Sequence, residues 1–198
     1  MKKGLILLIV FSILLSLSAC SPYKNSDVSK YGEFRDYSKY SSGSSDYIVF
    51  PESIPESAEN VKYYFSHVEE LLDPAIQLYL EYELSKEDYD AEVQRLKDIK
   101  GYHAETNAYT NEKKPIKYDD KNYIFPAYVS IDAYDFSFEY VLMDEGQNRL
   151  IYIYTHHISS ESQIKFDTSY LRKDWENLQV LEPADSYDIY GYNPLEDE

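Results

Sequence analysis

The chain has 198 residues, which is enough for a leader, a linker and one domain of ordinary size with its own core. A formal net charge of −17 repels nucleic acid phosphates and excludes nucleic acid as a partner, and a single cysteine excludes an internal disulfide bond. Aromatic residues make up 16% of the chain, with tyrosine at 23 positions, which argues against a wholly disordered protein.

The amino terminus has the pattern of an export signal. Lys2 and Lys3 form a short positive region, and the thirteen residues from Leu5 to Leu17 are apolar except for two serines. As a helix this run would span about 20 Å, whereas the hydrocarbon core of a bilayer is roughly 30 Å thick. The pattern therefore favours a cleaved signal peptide over a permanent transmembrane helix.

A lipid-attachment signal follows directly. Leu17-Ser18-Ala19-Cys20 resembles the lipobox of bacterial lipoprotein precursors, with a branched apolar residue, two small residues and a cysteine. The resemblance implies that the Cys20 thiol receives a diacylglyceryl group and that signal peptidase II cleaves between Ala19 and Cys20. It also implies acylation of the new amine, and two or more acyl chains anchor a protein stably.

The resemblance covers only about the first twenty residues. It implies a lipid-anchored protein on the extracytoplasmic face of the cell membrane, or on the outer membrane if the cell has two membranes. The membrane is then the first expected partner, reached through the lipid on Cys20.

The rest of the chain is predicted to have two parts, after a leader formed by residues 1–19. Residues 20–46 read as the lipidated cysteine and a flexible tether, because they are rich in Ser and Tyr and carry four basic and four acidic side chains. Loss of Lys2 and Lys3 with the leader takes the formal net charge from −17 to −19. All of this net negative charge lies in residues 47–198, the predicted acidic domain.

The first half of the domain is predicted to contain strands and one helix. Residues 58–68 fit either a helix or a strand, and the β-branched and aromatic run 61–65 favours a strand. From Ile76 to Leu84 apolar and polar residues alternate, which predicts a strand with one buried and one wet face. A helix is predicted to begin after Ser85, a capping residue, and to end at Gly101.

The second half is predicted to be mainly strands. A polar loop over residues 106–120 precedes three strand-like runs at 123–131, 134–143 and 150–156. Strands, one helix and then more strands predict an α+β fold, a twisted antiparallel sheet with one main helix packed on one face.

No motif in the sequence indicates catalysis, and no cofactor is predicted. HExxH, GxSxG, a glycine-rich phosphate loop and CxxC are all absent from the sequence. His156 and His157, with Glu161 nearby, suggest a metal site. However, adjacent residues on a strand point to opposite faces of a sheet, so we predict that they do not share an ion.

Two alternatives remain open because carboxylate pairs are common in the chain. The pairs are Glu69/Glu70, Asp119/Asp120, Asp144/Glu145 and Asp185/Asp188. One alternative is an extracytoplasmic hydrolase that uses such a pair. The other is weak binding of divalent cations by the acidic surface.

Five tyrosines are predicted as an interaction surface, together with the acidic face of the domain. They are Tyr63, Tyr64, Tyr79, Tyr152 and Tyr154. Tyrosine suits binding interfaces as well as half-buried sheets, because its ring is apolar and its hydroxyl is polar. The sequence as a whole favours a non-enzymatic, membrane-anchored domain that binds a protein or an envelope component.

The lipobox predicts the chemical state of the mature amino terminus. Protein extracted from membranes should begin at Cys20 and carry a diacylglyceryl group on that thiol. Mass spectrometry of the intact protein and of its amino-terminal peptide measures both features. An unmodified Cys20, or a leader still attached, would contradict the assignment.

Overall fold

A computed structural model describes residues 22–38, 46–68, 74–105, 108–180 and 188–191. The predicted signal peptide and Cys20 lie outside these ranges. The strands are β1 (Tyr23–Asn25), β2 (Glu59–Val68), β3 (Ala75–Glu83), β4 (Lys100–Glu105), β5 (Ala108–Pro115), β6 (Lys117–Asp119), β7 (Ala127–Tyr134), β8 (Ser137–Asp144), β9 (Arg149–His156) and β10 (Asp188–Tyr190). The α-helices are α1 (Phe34–Ser38), α2 (Lys86–Asp98) and α3 (Trp175–Val180).

All ten of these strands belong to one antiparallel sheet, as predicted. Its order is β1-β2-β3-β9-β8-β7-β10-β4-β5, and β6 pairs with β7 beside β10. Three strands in succession, β7, β8 and β9, pair as consecutive neighbours, and β9 then pairs with β3. Leu78 of β3 lies between Phe65 of β2 and Tyr154 of β9, near the middle of the sheet.

The prediction of one main helix packed on one face is not borne out. The longest helix, α2, has 13 residues, whereas α1 and α3 have only five and six. Four short 3-10 helices add to them in the described ranges, at Val28–Lys30, Glu145–Gln147, Glu161–Gln163 and Thr168–Tyr170. The helical residues are thus divided among several short segments that cover both faces of the sheet.

Local signals fix the start of α2 but not its end. Asp88 N donates to Ser85 Oγ over 3.2 Å, so the predicted capping residue is confirmed. The helix ends at Asp98, and Gly101 lies in β4 rather than at the helix end, so its predicted role is wrong. A Cβ on Gly101 would lie 2.5 Å from the nitrogen of Gly191, so this close approach of two backbones requires glycine.

Residues 58–68, for which both helix and strand were open, form the strand β2. Asn60 has a left-handed backbone (φ 53°), and the pairing with β3 shifts register between Glu59 and Lys62. The predicted loop over 106–120 is wrong, since its described residues contain β5 and β6. β5 lies at the edge of the sheet, where lysines such as Lys113 and Lys114 protect an open strand from pairing with other chains.

The first face of the sheet is covered by the amino-terminal segment and by α2. Buried side chains from these segments pack on the sheet, and they are Tyr31, Phe34, Tyr47, Val49, Phe50, Tyr89 and Leu96. Beneath them, the buried Glu139 of β8 accepts a hydrogen bond from Val49 N over 3.0 Å. This bond ties the covering segment to the sheet through a polar side chain inside the core.

Much of the predicted tether therefore belongs to the folded domain. β1 pairs with β2, the Tyr31 hydroxyl donates to Pro51 O over 2.7 Å, and Phe34 is completely buried. The predicted boundary at residue 47 is wrong for residues 22–38. The polar composition of this stretch hid two aromatic side chains that reach the core.

The second face is covered by a segment that follows β9. Its buried side chains are Ile158, Ile164, Tyr170, Leu171 and Trp175. Gln77 of β3 fastens this segment, because its Nε2 donates to Gln163 O over 2.9 Å and its Oε1 accepts from Lys165 N over 3.1 Å. The predicted wet face of β3 is consequently wrong, since Gln77, Tyr79 and Glu81 are all buried.

We expect Phe34→Ala to destabilise the mature protein by about 3–5 kcal/mol, because it empties a fully buried ring position. Val28→Ala in the same segment is the control. Its side chain is 38% exposed, so the free energy of unfolding should change by no more than about 0.5 kcal/mol. Denaturant unfolding measures both, and equal effects would show that residues 22–38 do not belong to the core.

Candidate functional site

The predicted tyrosine surface is mostly core. Tyr63, Tyr79, Tyr152 and Tyr154 are buried, and only Tyr64 is partly exposed. The prediction is wrong for the first four because both faces of the sheet are covered by other segments. A sequence pattern of alternating residues could not reveal the second cover, which lies about 80 residues further along the chain than Tyr79.

The buried tyrosines form internal hydrogen bonds. The hydroxyls of Tyr82 and Tyr152 lie 2.8 Å apart, and the Tyr152 hydroxyl donates to Glu92 Oε1 of α2 over 2.7 Å. Burial raises the pKa of Tyr152 well above its ordinary value, so the group stays neutral. Tyr79 donates to Glu81, and its ring stacks on Phe166 at 5.2 Å. These contacts connect the sheet to its covers.

An open groove lies between α2 and the sheet. It has a volume of about 940 Å³ and is bordered by α2, by β6 and by the turn between β8 and β9. The apolar residues that line it are Tyr89, Val93, Pro115, Ile116, Tyr118, Phe125, Pro126, Tyr128 and Met143. A concave surface of this size and composition is the usual form of a binding site.

Tyr118 is the most exposed aromatic side chain of this groove. It is 54% exposed, and its ring meets that of Tyr128 edge-on with centroids 5.4 Å apart. Together with the other apolar residues of the groove, this ring forms an apolar patch bordered by polar residues, a feature that marks contact sites. Tyr118 is not among the predicted site residues, because the polar composition of residues 106–120 predicts a loop there.

The rim of the groove is mainly acidic. Asp90, Asp144 and Glu145 line it together with one lysine, Lys97, and Asp90 is itself paired with Lys86. Asp144 is paired with Arg149 over 2.7 Å, whereas Glu145 is exposed and forms no ion pair with the other described residues. Burial, and then the charges of Glu145, Asp144 and Asp90, raise the pKa of Tyr89 to about 12. Glu145 is thus the one rim carboxylate without an ion pair among the described residues.

The described carboxylate pairs do not resemble an acid–base pair. Burial alone would raise the pKa of Asp119, but hydrogen bonds from Asn122 and Lys121 lower it. A general acid requires the opposite shift. Asp144 is tied to Arg149, Asp188 to His103 and Lys117, and three further members, Glu69, Glu70 and Asp185, lie outside the described residues.

A cluster of charged side chains connects four strands, β4, β6, β7 and β10. Asp188 of β10 contacts His103 Nε2 of β4 at 2.9 Å and Lys117 Nζ of β6 at 3.0 Å. Lys117 also donates to Asp132 of β7 over 2.7 Å, and Asp132 accepts from Arg172. These contacts link Asp188 to β4 and β6, so the cluster holds β10 in the sheet.

A group of side chains that could hold a metal ion lies where the sequence predicted no shared ion. Asp135, His156 and His157 each offer a ligand atom, and these atoms lie within 4.8 Å of one another. His157 follows the last residue of β9 and has a left-handed backbone (φ 50°), so strand alternation does not separate the two imidazoles. The third residue of the group is Asp135, not Glu161, and the pairing of Ser137 with His156 brings it close.

Comparison with protein-family models, with curated proteins and with solved structures finds no match for this chain.

Asp188 gives a prediction about pH. Burial opposes its ionisation, but hydrogen bonds and charge from His103 and Lys117 lower its pKa below the ordinary 3.8. We expect Asp188→Asn to reduce the free energy of unfolding at pH 7 by about 1.5–3 kcal/mol. The stabilising effect is full above the unfolded pKa and is lost as pH falls through the folded pKa.

The difference between wild type and Asp188→Asn should therefore be constant near neutrality and shrink below about pH 4. Denaturant unfolding between pH 7 and pH 3 measures it. Asp120→Asn, at an exposed position, should change the free energy by no more than about 0.5 kcal/mol. A difference between wild type and Asp188→Asn that stays the same at every pH would disprove the proposed role of the carboxylate.

Proposed function

We propose that the protein is a lipid-anchored extracytoplasmic binding domain rather than an enzyme. We further propose that its groove holds an apolar, positively charged segment of a partner protein. The observation that carries this proposal is the groove itself, where exposed Tyr118 and its aromatic neighbours lie beside a rim of three carboxylates.

The chemistry of the groove selects the occupant. Aromatic side chains bury apolar groups and also attract cations to their ring faces. The carboxylate of Glu145 supplies charge for a lysine or arginine of the partner, and the formal net charge of −17 attracts basic partners over a longer distance. An acidic segment would meet repulsion at both ranges.

The position of β1 supports an orientation on the membrane. Tyr23, which pairs with His67, lies three residues after Cys20 in the sequence. Three residues span at most about 11 Å. If Cys20 carries the lipid, the folded domain lies close to the head groups. The sequence predicts a long tether, but the described part of that segment, residues 22–38, is folded onto the sheet. Only a short link then separates Cys20 from the domain.

The groove lies at the other end of the sheet. His67 is paired with Ile76, and Ile76 with His156, so this row marks the end at which the chain enters β1. Asp144, at the far end of β8, lines the groove. A strand of eight residues spans about 24 Å, so the groove is held away from the lipid and is accessible to a partner.

Peptide selection tests the proposed occupant. Random peptides displayed on phage are selected against the full-length lipidated protein in nanodiscs of zwitterionic lipid. We expect enrichment of lysine or arginine together with large apolar residues. Binding of a selected peptide should weaken about tenfold or more in Tyr118→Ala and in Glu145→Lys.

Ile124→Ala is the matched control, because Ile124 is 52% exposed but does not line the groove. Its affinity should equal that of the wild type, and added salt should weaken binding of the charged peptides. Failure to select any peptide, selection of acidic peptides, or equal affinity in all three variants would refute the proposal.

A further inference from the structure

A second site lies at the end of the sheet nearest to Tyr23. It is formed by Asp135, in the turn between β7 and β8, and by His156 and His157 at the end of β9. It is independent of the groove, which lies at the opposite end. Its three ligand groups come from two different segments that the sheet brings together.

The backbone around this site adopts conformations that its side chains do not favour. Asp135 and Phe136, the two residues between β7 and β8, have φ values of 48° and 53°, and His157 has 50°. Turns of this kind usually contain Asn and Gly, and a bulky residue such as Phe is rare there. The turn brings Asp135 to the histidines, and the Phe136 ring packs edge-on against His157 at 5.4 Å.

His157 has a buried nitrogen without a hydrogen-bond partner. Its Nε2 is inaccessible to solvent and lies 3.8 Å from Asp135 Oδ1, too far for a hydrogen bond. An unsatisfied buried polar atom is costly and calls for a ligand or an ion. A metal ion placed between the two groups would satisfy both.

His156 is held in position by its neighbour across the strands. Its Nδ1 lies 2.7 Å from Ser137 Oγ, and that hydroxyl also donates to Asp135 O over 3.2 Å. The hydroxyl has one hydrogen, so both contacts form when His156 Nδ1–H is the donor to Ser137. This tautomer has its lone pair on Nε2, and such a hydrogen bond is typical of histidines that bind metals.

We propose that Asp135, His156 and His157 bind a divalent transition metal ion of the zinc class. Two imidazoles and one carboxylate suit Zn²⁺, whereas Ca²⁺ and Mg²⁺ prefer a shell of oxygen atoms. A tetrahedral ion with bonds of about 2.0–2.1 Å holds its ligand atoms about 3.3 Å apart. The three ligand atoms already lie within 4.8 Å of one another, and the Asp135 side chain is exposed and can rotate toward the histidines. Three ligands from the protein leave one position for water or for a donor atom of another molecule.

Metal titration of the full-length protein in detergent micelles tests the site. Calorimetry with Zn²⁺ should show one saturable ion per chain, and Zn²⁺ should raise the melting temperature. Co²⁺ should give the visible absorption of a low-symmetry site with nitrogen ligands. An excess of Ca²⁺ should displace neither ion.

Asp135→Asn and His157→Ala are the test variants. Asparagine tolerates the left-handed backbone at position 135, so the turn should remain folded while a charged ligand is lost. Each variant should weaken Zn²⁺ binding about tenfold or more, and circular dichroism verifies the fold. Glu161→Gln, which removes an exposed carboxylate four residues after His157 in the sequence, should bind Zn²⁺ as the wild type does.

Two results would overturn the proposal. One is the absence of saturable Zn²⁺ binding by the wild-type protein. The other is Zn²⁺ binding of equal affinity in the wild type and in both test variants, which would assign the ion to the general acidic surface.

Discussion

The structure depends on the burial of both faces of its central sheet by segments that buried polar side chains hold in place. Glu139 accepts a hydrogen bond from Val49 N on one face, and Gln77 bonds to the backbone of residues 163 and 165 on the other. A buried polar group that loses its partner is costly, so each of these side chains specifies where its cover must lie. The covers in turn explain why so many tyrosines are internal.

This arrangement limits where the protein can interact. With both faces of the sheet closed, its ends offer surfaces with distinct chemistry. At one end, Tyr118 and Glu145 border an aromatic and acidic groove. At the other, His156 and His157 meet Asp135 close to the point where the chain enters β1. The lipid proposed on Cys20 would give these two ends different environments, one near the membrane and one far from it.

The sequence revealed those parts of the structure that local patterns encode. The strand from Ala75 to Glu83 and the cap of α2 at Ser85 follow from alternation and from a side-chain hydrogen bond within a few residues. The segments that cover the sheet could not be predicted in this way. Phe34 lies in a polar stretch, and Gln77 bonds to residues almost 90 positions away in the sequence. The metal-binding group was missed because the left-handed conformation of His157, at the end of β9, interrupts the alternation.

If Cys20 carries the proposed lipid, the groove faces away from the membrane. Because the thiol of Cys20 is the lipid acceptor in this account, a single introduced cysteine carries a donor dye uniquely. Energy transfer to acceptor lipids in vesicles, from a dye on Ser159→Cys or on Gln94→Cys, reports how far each end of the sheet lies from the membrane. Both positions are exposed, one beside His157 and one on the groove. Stronger transfer from position 159 is predicted, and equal or stronger transfer from position 94 would contradict the account.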